Sequence, residues 1–112
     1  MEMHRVELDG GILKLELEGS LDLAGASQID LPFSVAAGSR DKLLVDLTGV
    51  TFLASMGIRV FVKAAKTITR RGGRMVIMNP TDAAQKVLVA TGMDSLVPIV
   101  ANEADARAAF VA

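Results

Sequence analysis

The stretch DLTGVTFLASMGIRVFV, residues 46–62, decides the fold, because an extended apolar segment gives way to a helix within it. Just upstream and overlapping it, KLLVDL (42–47) is rich in leucine and valine with little alternation, which is typical of a strand covered on both faces. Downstream, apolar residues recur at helical spacing, so a helix is predicted from about Met56 to Arg71. Two small residues, Ser55 and Gly57, lie at this junction and need an explanation.

Further strands and helices are predicted on both sides of this stretch. Residues 4–19 alternate apolar and charged side chains around a DGG turn, which predicts a hairpin. Residues 20–39 predict a helix that begins at Ser20 or Asp22 and is kinked or shortened at Pro32. The remaining predicted elements are a strand over 73–79, a helix over 79–93, a short extended segment over 96–100 and a helix over 102–111 with Asn102 as its cap.

The resulting order, β-β-α-β-α-β-α-β-α, indicates one α/β domain over residues 1–112. Helices that alternate with apolar strands imply parallel pairing through crossover connections, while the opening hairpin adds an antiparallel pair. We therefore expect a mixed, mostly parallel sheet of about five strands with about four helices.

Composition excludes several classes of function. The chain has 112 residues, no cysteine and a net charge of −1, which rules out disulfides and thiolate metal sites. There is no block of basic residues, so we expect no nucleic-acid binding. No apolar run reaches the roughly 20 residues of a membrane span, so we expect no membrane insertion. The acidic start lacks the apolar core of a secretion signal, and the cytoplasm is the expected compartment.

Catalytic and metal chemistry find little support in the residues. His4 is the only histidine, and it lies near the amino terminus without an evident partner. A serine hydrolase needs a base beside its nucleophile, and no G-x-S-x-G elbow surrounds Ser55. Phosphate-loop patterns are missing as well. We expect no metal, no cofactor and no enzymatic activity.

Ser55 has three interpretations: a helix cap, a catalytic nucleophile, or a hydroxyl that another protein modifies. Its position predicts the N-cap region, where its oxygen would accept a backbone N–H bond. The same donors also favour an anion, so a phosphate on Ser55 would meet the N–H groups of Met56 and Gly57, with that of Ile58 next along the helix. Gly57 would leave room for it, and Arg59 lies four residues further on. Capping alone would suffice to explain the serine.

Two aspartates, Asp22 and Asp46, lie near predicted strand ends. Either could be a cap, a turn former or a site residue, and the structural interpretation is favoured for both.

Taken together in order, several stretches resemble one known family. They are LEGSLDLAGA (17–26), LLVDLTGVTFLASMGIRVFV (43–62), GGRMVIMNP (72–80) and VLVATGMDSLVPIV (87–100). The set is similar to the STAS domain, in particular to the small bacterial anti-sigma factor antagonists. The resemblance covers nearly the whole chain and implies a single-domain STAS-like fold.

The resemblance implies a function and a site. It implies a phosphoprotein that binds an anti-sigma factor, itself a serine kinase, in a partner switch that regulates sigma-factor-dependent transcription and is reset by a serine phosphatase. Ser55 would be the phosphoacceptor. Partner-binding residues implied by it are Asp22, Ala54, Ser55, Met56, Gly57 and Arg59.

The sequence departs from the family pattern at two positions next to the serine. The pattern is commonly Asp-Ser-Ser-Gly or Asp-Ser-Ala-Gly, whereas this chain has Ala54-Ser55-Met56-Gly57. The missing acid supports an alternative: a STAS protein that is not phosphorylated and serves as a scaffold or subunit of a stressosome or lipid-transport complex.

Overall fold

The computed structural model describes residues 1–111, and a five-stranded sheet forms its centre. Strands and helices have the following bounds: β1 (Glu2–Leu8), β2 (Ile12–Leu21), α1 (Leu23–Ser39), β3 (Lys42–Leu53), α2 (Ser55–Arg70), β4 (Arg74–Met78), α3 (Asp82–Ala90), α4 (Met93–Leu96), β5 (Ile99–Val100) and α5 (Glu103–Val111). The strands lie in sequence order across the sheet.

Pairing within the sheet is mixed, as the sequence predicted. β1 pairs antiparallel with β2, and all later neighbours pair in parallel. Gly10 and Gly11 form the hairpin turn with φ of +85° and +77°, a conformation that glycine adopts without steric cost. The fold is therefore an α/β domain with a mixed, mostly parallel sheet.

Two apolar layers cover the sheet unequally. On one face, α1 to α4 pack over strand residues such as Leu15, Val45 and Ile77. The rings of Phe33 in α1 and Phe61 in α2 meet at 5.6 Å between centroids, which fixes these two helices side by side. On the other face, a smaller cluster lies under α5, and it consists of Ile12, Leu44, Val76, Met78, Ala106 and Phe110.

The structure corrects two predicted details. α1 runs unbroken through Pro32, because buried residues before and after it, such as Ile29 and Phe33, hold both halves against the sheet. A short additional helix, α4, follows Gly92, so the described residues contain five helices and not four. Within residues 1–111, no helix combines the length and the hydrophobicity that crossing a membrane requires.

Candidate functional site

Two helices begin next to each other at one edge of the sheet. Leu21 and Leu53, the last residues of β2 and β3, are paired in parallel register. The N–H of Ala54 donates to the carbonyl of Leu21 at 3.0 Å, which ties the start of α2 to the end of β2. Asp22 and Ala54 follow these strands directly and are the N-cap residues of α1 and α2. The sheet register thus brings together the predicted residues on both helix starts.

The amino-terminal end of α1 is capped by the side chain of Asp22. Asp22 has extended backbone angles, and its Oδ1 accepts the N–H of Gly25 at 2.8 Å. A carboxylate here satisfies one of the donors that lack a helical acceptor, and it also complements the positive end of the helix dipole. Gly25 is required by packing, since a Cβ there would lie 2.5 Å from the Ser20 carbonyl oxygen. The favoured structural interpretation of Asp22 is confirmed.

The start of α2 is open by comparison. Its N-cap is Ala54, which has no side-chain oxygen, and no side chain of residues 1–111 caps this end. Ser55 is the first helical residue, so it lies in the predicted N-cap region, but it is not the cap residue and its oxygen accepts no capping hydrogen bond from residues 1–111. Its hydroxyl is exposed and has no hydrogen-bond partner in the described part of the chain.

Two backbone amides at this end of α2 remain without a protein acceptor. The N–H groups of Gly57 and Ile58 both donate to the Ala54 carbonyl, at 3.0 and 3.3 Å. The N–H groups of Ser55 and Met56 have no acceptor among residues 1–111. The donors available to an anion are therefore those of Ser55 and Met56, and the predicted contribution of Gly57 was wrong because that amide is already paired.

Gly57 serves packing and not the reception of a phosphate. It is buried, and a Cβ added to it would lie 2.7 Å from Cγ and Cδ2 of Leu21 and 2.9 Å from Cδ1 of Leu53. Real Cβ atoms do not approach other atoms this closely. The glycine lets α2 lie directly on the ends of β2 and β3, which places Ser55 at the rim of the sheet.

Met56 and Arg59 continue the surface beyond the serine. Met56 is half-buried, since it packs against the main core while part of it stays accessible. Arg59 is exposed and places Nη1 3.7 Å from the Met56 sulfur. Together with Ala26, Ser27 and further α1 and α2 residues, they line a shallow groove between the two helices.

Leu23 and Phe52 are exposed apolar residues at the same edge that the sequence analysis did not single out. Leu23, the first residue of α1, is 62% exposed, and Phe52, next to last in β3, is 52% exposed. In the sequence, Phe52 directly precedes the apolar Leu53, and because adjacent strand residues point to opposite faces, a strand that buries Leu53 turns Phe52 to the other face. Apolar side chains of this size beside an open helix start are suited to a protein contact.

Asp46 does not belong to this site. It lies in the middle of β3, and its Oδ1 accepts from the backbone N–H and the hydroxyl of Thr48, at 3.0 and 2.6 Å. The Thr48 hydroxyl in turn accepts from Asn79 at 3.0 Å. These bonds stabilise a local irregularity of β3, in agreement with the favoured structural interpretation.

His4, predicted to be without partners, has acidic neighbours in the structure. Glu2 is two residues away on the same face of β1, and Glu18 lies directly across from Glu2 on β2. The potential ligand atoms of the three residues lie within 4.8 Å of one another. Strand pairing creates this group, which is why linear spacing missed it. All three residues are exposed, as such surface groups commonly are without a metal, and we assign the group no function.

Comparison with known proteins agrees with this architecture. The family model of the STAS domain matches residues 4–106. An anti-sigma F factor antagonist of Paenibacillus polymyxa is 27% identical over 108 residues, which cover 95% of this chain and 88% of that protein. The crystal structure of an anti-sigma factor antagonist from Mycobacterium paratuberculosis has a TM-score of 0.87 at 22% identity, covering 99% of this chain and 94% of that one.

A further similar structure is the Bacillus cell fate determinant SpoIIAA in its phosphorylated form. It has a TM-score of 0.74 at 20% identity and covers 96% of this chain and 97% of that one. These relatives are regulators by name, which agrees with the prediction that this chain is not an enzyme. With the family model matching more than 100 of its 112 residues, the chain belongs to the STAS domain family.

Proposed function

We propose that this protein is an anti-sigma factor antagonist whose binding is switched off by phosphorylation of Ser55. In the unmodified state it binds an anti-sigma factor and so frees a sigma factor for transcription. The anti-sigma factor acts as a serine kinase on Ser55, and a serine phosphatase removes the phosphate. The whole cycle takes place in the cytoplasm.

The observation that carries this proposal is the exposed, unbonded hydroxyl of Ser55 at the uncapped start of α2. A kinase must bring the γ-phosphorus of ATP in line with the hydroxyl oxygen, which requires open solvent around it. No bond within the described residues has to break when the oxygen attacks. Attack forms the O–P bond and releases ADP, and the hydroxyl proton passes to a base of the kinase.

The product would be accommodated without a change of fold. A phosphoserine carries about −1.5 to −2 charges at pH 7. Two free amides, those of Ser55 and Met56, and the positive end of the α2 dipole would face these charges. Arg59, one helical turn away, adds a cation at the distance at which i and i+4 side chains interact.

The effect on binding follows from what surrounds the serine. Exposed apolar residues lie near both helix starts in the chain: Leu23 follows the cap of α1, Phe52 lies three residues before Ser55, and the partly accessible Met56 follows it; we call these three the apolar rim. In a complex, this rim would exclude water, and a phosphate would then have to be desolvated without a matched partner. Each 1.4 kcal/mol of such a penalty weakens binding tenfold. Gly57 contributes indirectly by placing the serine, and Asp22 and Ala54 shape the neighbouring surface.

Phosphate transfer tests the proposal directly. The protein is incubated with ATP and the histidine-kinase-like anti-sigma factor of its own organism, and intact mass is measured. The expected result is one added phosphate in the wild type and in Ser27→Ala, a control at an exposed serine of the same groove, and none in Ser55→Ala. Two outcomes would overturn the proposal: phosphate on a different residue, or none with a kinase that phosphorylates another substrate.

The second candidate is a STAS scaffold or transport subunit that is never phosphorylated. Ala54 favours it, because the kinase would find no acid on the residue before the serine. A direct discrimination is Ala54→Asp. If wild type takes no phosphate and Ala54→Asp does, the missing acid is the cause, and the scaffold is the better description.

A further inference from the structure

One face of α2 carries only basic side chains. Arg59, Lys63, Lys66 and Arg70 are exposed and recur at intervals of four, three and four residues. At 100° per residue they fall within about 60° of one another on the helix surface. Over about 16 Å they form a straight line, which we call the basic stripe. Ser55 precedes Arg59 by four residues and lies at the stripe's amino-terminal end.

The basic stripe is not balanced by the rest of the molecule. α2 contains no acidic residue. Lys63 pairs with Asp30 of α1 at 3.0 Å, while Lys66 and Arg70 form no ion pair within residues 1–111. Arg59 has only the Met56 sulfur as a hydrogen-bond partner in that range. Three of the four cations are thus available for an external partner.

Helix stability does not explain this arrangement. Like charges three or four residues apart destabilise a helix, and a cation near the amino-terminal end opposes its dipole. Only Arg70, in the last turn, is placed where the dipole favours it. α1 lies beside α2 on the same face of the sheet and has Asp30 as its single charged residue. The stripe therefore requires a reason outside the folding of this chain.

We propose that the basic stripe is the part of the binding surface that selects the partner, and that the partner presents an acidic segment to it. This rests on the proposed function. The half-buried Val62 and the neighbouring Ile58 lie alongside the cations and would receive apolar residues of that segment. An amphipathic acidic helix laid along α2 meets both requirements. Its path crosses Ser55, so a phosphate would meet an acidic partner and would compete with it for Arg59.

Nucleic acid and anionic membranes are disfavoured as occupants by charge. The opposite face of the sheet, beyond the part that α5 covers, carries Glu2, Glu16, Glu18 and Asp46 beside Lys14, while Lys42 and Arg74 lie on the same face at the other end of the strands. The chain as a whole has a net charge of −1. A polyanion long enough to extend beyond the stripe would meet a chain of net negative charge, whereas a short acidic segment would meet only the stripe.

A matched pair of charge reversals tests this inference. Arg59→Glu/Lys66→Glu reverses one arginine and one lysine of the stripe. The control, Arg5→Glu/Lys86→Glu, reverses the same residue types at exposed positions of β1 and α3. Dissociation constants for the organism's anti-sigma factor are measured by titration calorimetry at about 50 and about 300 mM NaCl. Thermal unfolding confirms that both variants fold.

The stripe variant is expected to raise Kd at least about tenfold at low salt, with a smaller ratio at high salt, while the control stays within about threefold of wild type. Equal losses in the two variants would overturn the inference and leave the proposed function standing. No binding by wild type would overturn both. Stripe-dependent binding of duplex DNA or phosphatidylglycerol vesicles more tightly than of the anti-sigma factor would overturn the acidic protein segment as the occupant.

Discussion

α1 and α2 start at the same edge of the sheet and pack side by side, yet the residues that precede them, their N-caps, are of different types. α1 begins after Asp22, whose carboxylate caps it, and α2 begins after Ala54, which cannot. Their exposed faces differ as well, since that of α1 is almost uncharged and that of α2 is basic. The amino-terminal end of α1 is thus completed by a side chain of its own, whereas that of α2 has no side-chain cap among residues 1–111.

Close packing beneath the amino-terminal end of α2 predicts the greatest change in stability. Gly57→Ala would place a methyl group against Leu21 and Leu53, which are both buried, and overpacking of this kind lowers the free energy of unfolding by about 1–3 kcal/mol. In α1, Gly38→Ala meets nothing within 4 Å and should stabilise by about 0.5–1 kcal/mol. Urea unfolding measures both. Equal effects at the two positions would mean that α2 does not need its close approach.

Replacing each N-cap residue by the other, in Asp22→Ala and Ala54→Asp, should change the free energy of unfolding in opposite directions. Asp22→Ala removes the acceptor for Gly25 N–H and should lower the free energy of unfolding by about 1 kcal/mol. Ala54→Asp adds a cap to α2 and should raise it by a similar amount. Ser55→Ala is the control, since its hydroxyl bonds to nothing within residues 1–111, and it should stay within about 0.5 kcal/mol. A large loss in Ser55→Ala would show that the serine is a structural residue.

A negative charge at position 55 should separate stability from binding. Ser55→Asp puts a carboxylate in the first turn of α2, where the dipole should stabilise the fold by about 0.3–1 kcal/mol. The same change should weaken anti-sigma factor binding. Chemical denaturation and calorimetry on one preparation give the two numbers. If the affinity and the free energy of unfolding both fell, the weaker binding would reflect damage to the helix and not the added negative charge.

The carboxyl-terminal ends of α1 and α2 also differ, and this difference has a small effect on how the stability of the fold depends on pH. Arg40, the C-cap of α1, donates to both carboxylate oxygens of Glu7, at 2.6 and 2.5 Å. This hydrogen bond lowers the pKa of Glu7 from its ordinary 4.5. Arg71, which ends α2, instead donates to the carbonyls of Ala37 and Arg40.

The sign of the pH effect follows from the lowered pKa of Glu7. The stabilisation from Glu7 is complete above pH 4.5 and is lost as pH falls through the lower pKa of the folded state. Arg40→Gln should return that pKa toward 4.5, which carboxyl-carbon NMR titration can follow. Because the pair is solvent-exposed, the effect on stability should be small. An unchanged Glu7 titration in this variant would show that the pair does not persist in solution.

The element order and sheet type were predictable because they depend on local periodicity. Apolar runs separated by turn residues predicted the strands, and the apolar residues at helical spacing from Ile58 to Ile68 predicted α2. The prediction of a kinked or shortened α1 at Pro32 was wrong. The rule that proline breaks a helix considers only the local backbone, whereas the buried residues on either side of Pro32 act through tertiary contacts. Helix α4, only four residues long, was too short to show periodicity.

The residues of the candidate site were singled out from the sequence, but their geometry was not predictable from it. Ser55, Asp22 and Arg59 were singled out from the sequence, yet the cap position, the pairing of the Gly57 amide and the packing role of Gly57 depend on atoms that only the sheet register brings together. The same holds for Glu2, His4 and Glu18, which are neighbours through strand pairing. Sequence spacing describes neighbours along one element, and it does not describe neighbours across two.

The most direct test of the account compares the protein before and after complete phosphorylation of Ser55. Affinity for the anti-sigma factor is measured by calorimetry, and the free energy of unfolding by urea, on the same two samples. We predict a Kd at least about a hundredfold higher after phosphorylation, equivalent to about 2.8 kcal/mol of binding, with unfolding free energies within about 1 kcal/mol of each other. Equal affinities, or an unfolded phosphoprotein, would contradict the claim that Ser55 controls docking from an open helix start.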